Sequence, residues 1–261
     1  MSTICKLCKE KKDLKSSHLI PKLLYRYLRK KQGNNENLNG LLILDSKNNK
    51  IDVTQRQWQK HIFCHDCEIL LSKNETKFAR ILRDINDIEK KELKKTSYIT
   101  DYEKVKGVMS FDEFKQTLEA GYFNKENVET LKYFSASFLL RQLYVIEHNL
   151  AKEDMKMLED YILGQGEGNF NLFVNLNIEK DFLTFCSSIP LDKQDDFKHY
   201  NFIVPNVWFH LIFDRDASLG KPNVMITPSD FYKNEIIIGL LSKFYEDVRI
   251  SKKAEKAMAS E

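Results

Sequence analysis

Five cysteines in 261 residues are too few to staple a secreted scaffold with disulfides. Four of them sit in two C-x-x-C pairs, a pattern that in a reducing compartment points to metal binding. Long apolar runs are missing too. The longest, Ile236 to Leu241, falls far short of the roughly 20 residues a spanning helix needs. The N-terminus is charged from Lys6 onward with no apolar stretch behind it, so no secretory leader is expected. There is no P-loop and no nucleophile elbow, and the GQGEG of residues 164–168 lacks the strand and spacing of a dinucleotide fingerprint. These absences lead to the expectation of a soluble cytoplasmic protein that does not engage a membrane.

What is present is enough hydrophobic residue, 42%, to fill one large core or two modest ones. The net charge of +3 conceals a division. Residues 1–31 hold ten Lys and Arg against Glu10 and Asp13, a net of +8, which leaves −5 on the rest of the chain. A basic segment of this kind attracts a phosphate backbone without reading sequence, or is simply a solvated face.

Two textures follow one another. Leu23, Leu24, Tyr27 and Leu28 recur at helical spacing behind Pro21, a residue tolerated in a first turn. "GLLILDSKNNKIDVTQ" reads as two strands about a turn, and "KHIFCHDCE" as a strand entering the second cysteine pair. "SKNETKFARILRDINDIEKKELKK" reads as a helix opened by a capping box, Ser72 with Glu75. Ser110 with Glu113 opens another helix, ending near Gly121, and Asn124 caps a long one through Ile146. After a soft boundary at Gly164 to Gly168 the period changes to two: Phe170, Leu172, Val174, Leu176 and Ile178 alternate with mostly asparagine. "FLTFCSSI", "YNFIVPNVWFHLIF" and "NVMITP" continue as strands, and "DFYKNEIIIGLLSKFYEDV" closes as a helix. The expected class is α+β: a zinc-bearing module with its following helix over residues 1–95, a helical segment over 96–165, and an antiparallel sheet with helices over 166–261.

Cys5, Cys8, Cys64 and Cys67 supply the four thiolates of a structural zinc, since two residues between partners let both sulfurs reach one ion at ~2.3 Å. Two unrelated pairs or redox cysteines are the alternative. Cys186 falls in an apolar strand pattern and reads as core.

C-x-x-C, then the histidine of "SHLIP", then a strand into a second C-x-x-C with a helix behind it, resembles the zinc-stapled branch of the HNH (ββα-metal) nucleases. "RQWQKHIFCHDCEILLSKNE" resembles a group of bacterial HNH-like proteins of uncharacterised role. The resemblance covers about residues 1–80. It implies a treble-clef module in which His18 is the general base, Pro21 the following proline, Gln59 the counterpart of the middle Asn, and Glu68 a ligand where the family often has a metal-binding His. It further implies structural Zn²⁺, catalytic Mg²⁺ or Mn²⁺, hydrolysis of phosphodiester bonds in DNA or RNA, and a role in bacterial defence against phage. Ser17 departs from the pattern, because it stands where the family keeps a ligating Asp or His and a neutral hydroxyl is a poor ligand for a hard dication.

Each of these residues also has a structural reading. His18 serves equally as a packed knuckle histidine, and Glu68 as a carboxylate favoured by the helix dipole. Glu75 is accounted for by its capping box. His61 and His65 read as exposed strand and turn residues, and Trp208, His210 and Ile212 as one core-facing strand face. Arg141, inside the apolar "FLLRQLY", demands an internal carboxylate. The sequence thus leaves two functions open: a metal-dependent nuclease acting on nucleic acid, DNA in the first instance, or a catalytically silent zinc-stapled nucleic-acid-binding or adaptor module. The C-terminal half carries no catalytic motif and is assigned to substrate choice, homodimerisation or a partner protein.

Overall fold

The structure is a computed structural model, and it describes residues 3–32, 41–45, 50–54, 56–87, 98–99, 123–146, 152–179, 186–187, 191–193, 198–213, 224–235, 237–239, 241–242 and 246. The chain is α+β. Strands β1 (Thr3–Ile4) and β2 (Lys11–Lys12) make a short antiparallel hairpin around the first cysteine pair. Its tip is tight: Cys5 N–H donates to Glu10 O at 2.9 Å, Lys9 N–H to Cys5 O at 3.0 Å, and Lys9 takes φ +61. That left-handed value costs a residue with a β-carbon ~1 kcal/mol or more, which the hairpin's hydrogen bonds offset. β3 (Leu14–His18) follows, then α1 (Lys22–Gln32) immediately behind Pro21, then the hairpin of β4 (Leu41–Asp45) and β5 (Lys50–Thr54), and β6 (Gln59–Cys64), which returns to pair antiparallel with β3.

Helix α2 (His65–Asp87) starts directly from β6. The capping box expected at Ser72 and Glu75 does not open it; both residues lie within the helix. The local signal is overridden because Cys67 sits in the first turn, where Asp66 and Glu68 already complement the dipole. Its buried stripe, Leu71, Phe78, Ile81, Leu82 and Ile85, has the spacing of one helix face. After β7 (Tyr98–Ile99) comes α3 (Lys125–Ile146), capped by Asn124, whose Oδ1 accepts from Asn127 N–H at 2.9 Å. α3 is buried on nearly every side over residues 134–144. Its interior hydroxyls are satisfied within the helix: Thr130, Ser135 and Ser137 donate to Glu126 O, Lys132 O and Phe134 O. α4 (Lys152–Leu163) ends in a Schellman motif, with Gly164 at φ +71, Gln165 N–H on Asp160 O and Gly164 N–H on Tyr161 O.

The C-terminal strands β8 (Asn171–Asn177), β9 (Leu191–Lys193), β10 (Lys198–Val204), β11 (Val207–Phe213) and β12 (Val224–Ser229) join β7 in a six-stranded sheet ordered β7-β12-β8-β11-β10-β9. The sheet is mixed, not purely antiparallel as expected, because β12 lies parallel to β8. Alternation within each strand fixes which face is buried but carries no information on which neighbour it takes. β10 and β11 turn through Pro205 and Asn206, where Asn206 at φ 63 occupies a conformation asparagine tolerates. One face of the sheet packs on α2 and α3 through Phe78, Phe134, Phe138, Phe202 and Phe209. On the other face Ile203 and Trp208 pack with Phe231 and Ile237, just after β12. The closing helix is described only in part, with a 3₁₀ turn at Phe231–Lys233 and helical backbone at 237–239 and 241–242. The helix expected from Ser110 to Gly121 lies outside the described residues, as does most of the "FLTFCSSI" strand.

Buried side chains from Cys5 to Ile226 join one hydrophobic cluster. No described helix is long and apolar enough to cross a membrane. Phe134 stands at the centre of this packing, stacked on Phe78 with ring centroids 3.5 Å apart. Phe134→Ala is expected to lower unfolding free energy by about 3–5 kcal/mol, read from denaturant melts of the whole chain.

Candidate functional site

The hairpin tip and the start of α2 bring four sulfurs together. Cys5, Cys8, Cys64 and Cys67 place their Sγ atoms within 4.8 Å of one another, with Cys5–Cys67 and Cys8–Cys64 both at 3.8 Å. Disulfide sulfurs would stand at ~2.05 Å, whereas a tetrahedral ion with metal–sulfur bonds of ~2.3 Å separates its sulfurs by about 3.8 Å. The donor set therefore fits a structural zinc or another thiophilic metal. Burial raises the Cys5 thiol, but N–H groups of Cys64, Cys8 and Leu7 aimed at the sulfur outweigh it and hold it below its ordinary value. Burial pushes Cys8 up and Cys67 far up. Cys8 and Cys67 thus resist ionising on their own, and a dication that binds the cluster takes up their thiolates as it releases their protons.

The module is bolted to the helices behind it. Lys6 Nζ donates to Tyr144 O at 3.0 Å, Lys9 Nζ pairs with Glu159 at 2.7 Å, and Tyr144 Oη lies 2.7 Å from Lys6 O and 2.6 Å from Glu159 Oε1. Lys12 pairs with Glu10 and Asp66. At least these three of the ten N-terminal cations are consequently engaged within the protein, which leaves a smaller basic arm than the sequence count implies. Lys11, Lys15, Lys22, Arg26 and Lys60 are exposed, and among the described residues none of them pairs with a carboxylate. The side chains of Lys30 and Lys31 lie outside the described residues.

His18 ends β3, and its position depends on one irregularity. Leu14 pairs with Cys64 and Lys15 with Phe63, but Ser16 pairs with His61, so Ile62 is an extra residue on β6. The bulge buries Ile62, Phe63 and Cys64 in succession and exposes Gln59, Lys60 and His61. It also sets Gln59, and not Lys60, opposite His18. Ser16 Oγ donates to Gln59 Oε1 at 2.6 Å, which leaves the Gln59 amide nitrogen 2.8 Å from His18 Nε2. A neutral ring then carries its proton on Nδ1 and its lone pair on Nε2. Burial, the Lys22 ammonium and the Arg141 guanidinium hold this half-buried imidazole below its ordinary 6.5, with Gln57 opposing. Ser17 faces inward, fully buried, its hydroxyl 3.4 Å from Lys15 O.

Behind the strand lies a buried charged group. Arg141 is paired with Glu75, their side chains 4% and 16% exposed. The internal partner that Arg141 requires is therefore the residue whose role the sequence ascribed to a cap. Burial raises Glu75 even though Arg141 pulls it down, and Glu68 adds to the rise. Glu75 Oε1 is the atom that meets Arg141 Nη1, whereas Glu68 Oε1 and Arg141 Nε are buried without a hydrogen-bond partner among the described residues. The next residue, Gln142, donates to Leu19 O at 2.7 Å. Neither Gln142 nor the role of Glu75 was visible in the sequence. His61 and His65 are exposed, as expected. Cys186 packs against the core cluster. Trp208 is buried, and His210 meets His199 at 2.9 Å on the sheet's outer face. Apart from the four cysteines, no group of three or more potential ligands converges among the described residues.

No family model, curated protein or solved structure matches this chain. The site must be judged on its own chemistry, beginning with the metal. One zinc per chain is expected by elemental analysis. Replacing Cys5, Cys8, Cys64 or Cys67 by Ser should abolish it and collapse the amide dispersion of residues 3–32 and 56–87 in NMR spectra, because in such modules binding energy is folding energy.

Proposed function

We propose that the protein is an HNH-like nuclease of the ββα-metal type, with a treble-clef zinc module, hydrolysing phosphodiester bonds of DNA or RNA. The observation that carries this reading is the Ser16–Gln59–His18 hydrogen-bond chain. It offers an oriented imidazole lone pair on a face whose lysines have no carboxylate partner among the described residues, from a histidine held below its ordinary 6.5 and so in its base form at neutral pH. In this mechanism a water takes the place of the Gln59 amide at His18 Nε2 and gives up a proton to it. The water oxygen forms the new P–O bond in line, and the P–O bond to the leaving oxygen breaks. Lys22, Lys60 and Lys15 hold the flanking phosphates. Glu68 would contribute one carboxylate to hold a Mg²⁺ or Mn²⁺, and such an ion would supply positive charge to neutralise the scissile group. The buried, unpartnered Oε1 of Glu68 supports that role. Ser17, turned inward, supplies no second ligand.

That inward Ser17 favours one competing reading, a zinc-stapled nucleic-acid-binding module without catalysis. Purified protein incubated with plasmid, linear and single-stranded DNA and with RNA, with and without Mg²⁺ or Mn²⁺, decides between them. His18→Ala should keep zinc and folding while cutting cleavage ~10²–10⁴-fold; wild-type protein that cuts none of these substrates, with its zinc in place, would leave only the binding module. The pH dependence follows from the direction of the shift. Since the folded protein binds the His18 proton less readily than an ordinary histidine, the cleavage rate should rise through a midpoint below pH 6.5 and then level off. Stability should fall as pH drops below 6.5, where the unfolded chain binds that proton more readily.

Binding gives a separate measurement. Replacing Lys11, Lys15, Lys22 and Lys60 by Gln should reduce the slope of log affinity against log salt by up to about one unit for each phosphate that is no longer neutralised. Changing Lys6 and Lys9, which are engaged with α3 and α4, should alter stability instead of that slope. An affinity indifferent to salt would exclude a nucleic-acid partner.

A further inference from the structure

The turn that carries His18 is gripped from a helix far away in sequence. β3 ends at His18, and the carbonyls of His18 and Leu19 accept hydrogen bonds from side chains of α3. Arg141 Nη1 reaches His18 O at 3.4 Å, and Gln142 Nε2 reaches Leu19 O at 2.7 Å, both across 123 residues of sequence. Leu19 N–H is meanwhile held by Trp58 O at 3.0 Å, and Leu24 N–H by Pro21 O at 2.9 Å. Two consecutive polar side chains sit in a stretch where Leu139, Leu140 and Leu143 are otherwise buried. Burying a guanidinium there is costly unless it is paired, and well-packed apolar residues would fill the same space with less penalty. Glu75 provides the pairing and fixes the direction of the guanidinium.

We propose that Arg141 and Gln142 are positioning residues for His18, with Glu75 aiming Arg141, so that α3 forms the back wall of the site. The inference rests on the reading of His18 as the base, but it concerns the histidine itself and can be tested without cleavage. Arg141 acts through the backbone of His18 and through its charge.

The test uses the full zinc-loaded chain and the double variant Arg141→Met with Glu75→Gln, which removes both charges together and leaves neither stranded. Zinc content and melting temperature should stay near wild type. The His18 ring titration, followed by NMR, should move up but stay below 6.5, because burial and the Lys22 ammonium, the larger causes of its lowering, remain when the Arg141 cation is removed. The pH limb of cleavage should move with it, and kcat should fall by up to about 10²-fold with KM little changed. Arg141→Lys keeps the cation but not the rigid planar guanidinium whose Nη1 meets both Glu75 Oε1 and His18 O, so it should hold the titration near wild type while still lowering kcat. It also serves if the double variant fails to fold. A folded double variant whose His18 titrates as in wild type would overturn the proposal, and so would an Arg141→Lys protein with wild-type kcat. Wild-type protein that cuts nothing would remove the nuclease reading, while the movement of the His18 titration still decides the clamp.

Discussion

Cys5 and Cys67 meet at 3.8 Å across 62 residues of chain, and this closure governs the geometry of the N-terminal module. Closing so long a loop costs conformational entropy, which a metal shared by four thiolates can offset because its binding free energy is spent on folding. Once Cys64 is held at the cluster, Leu14 lies opposite it and the register of β3 on β6 follows. Counting back from that anchor, the single extra residue Ile62 decides what faces His18. Without it Lys60 would oppose the ring, an ammonium with no lone pair to offer; with it the opposing group is the Gln59 amide. The sulfur cluster and the bulge together convert a pair of short strands into an oriented imidazole.

The second constraint is α3. One side of it packs into the aromatic layer shared with α2 and the sheet, through Phe134 and Phe138. Its C-terminal half meets the N-terminal module twice: at the knuckle through Tyr144, and at the His18 turn through Arg141 and Gln142. A histidine on a free-standing zinc module would depend on the module's own stiffness. Here the turn is braced by a helix whose surroundings are among the most deeply buried in the protein, so a displacement of His18 is opposed by the whole core.

What the sequence made legible was what is encoded locally. The two C-x-x-C pairs declared the sulfur cluster, period-two alternation marked the strand from Asn171 to Asn177, an apolar, aromatic-rich run marked the strand from Val207 to Phe213, and Asn124 marked the start of α3. Three features escaped because their causes are not local. The start of α2 was placed at Ser72 by a plausible capping box, whereas the need to set Cys67 in a first turn carries the helix back to His65. The parallel union of β12 with β8 depends on where the chain crosses the sheet, which no strand records in its own pattern. Glu75 looked like a cap until Arg141, 66 residues on, supplied its partner. A charged residue in an apolar helix was the one signal that some distant carboxylate existed, and it could not say which.

Charge completes the argument about how a polyanion would meet this molecule. Ten cations crowd the first 31 residues, yet Lys6, Lys9 and Lys12 are turned to internal acceptors. Among the described residues the exposed Lys15, Lys22 and Lys60 have no carboxylate partner and belong to the strands and the helix start beside His18, while the exposed Lys11 lies on the hairpin of the first cysteine pair. The rest of the chain carries a net −5 and would turn phosphate away. Attraction at one edge and repulsion over the remainder orient a long polyanion before the surfaces touch, because fields of opposite sign act at distances of about a Debye length, ~8 Å at physiological salt. A small anion would sample such a field almost uniformly. Under the proposed function, a strand of nucleic acid, with charges repeated along its length, would be aligned by such a field toward the edge where the imidazole stands.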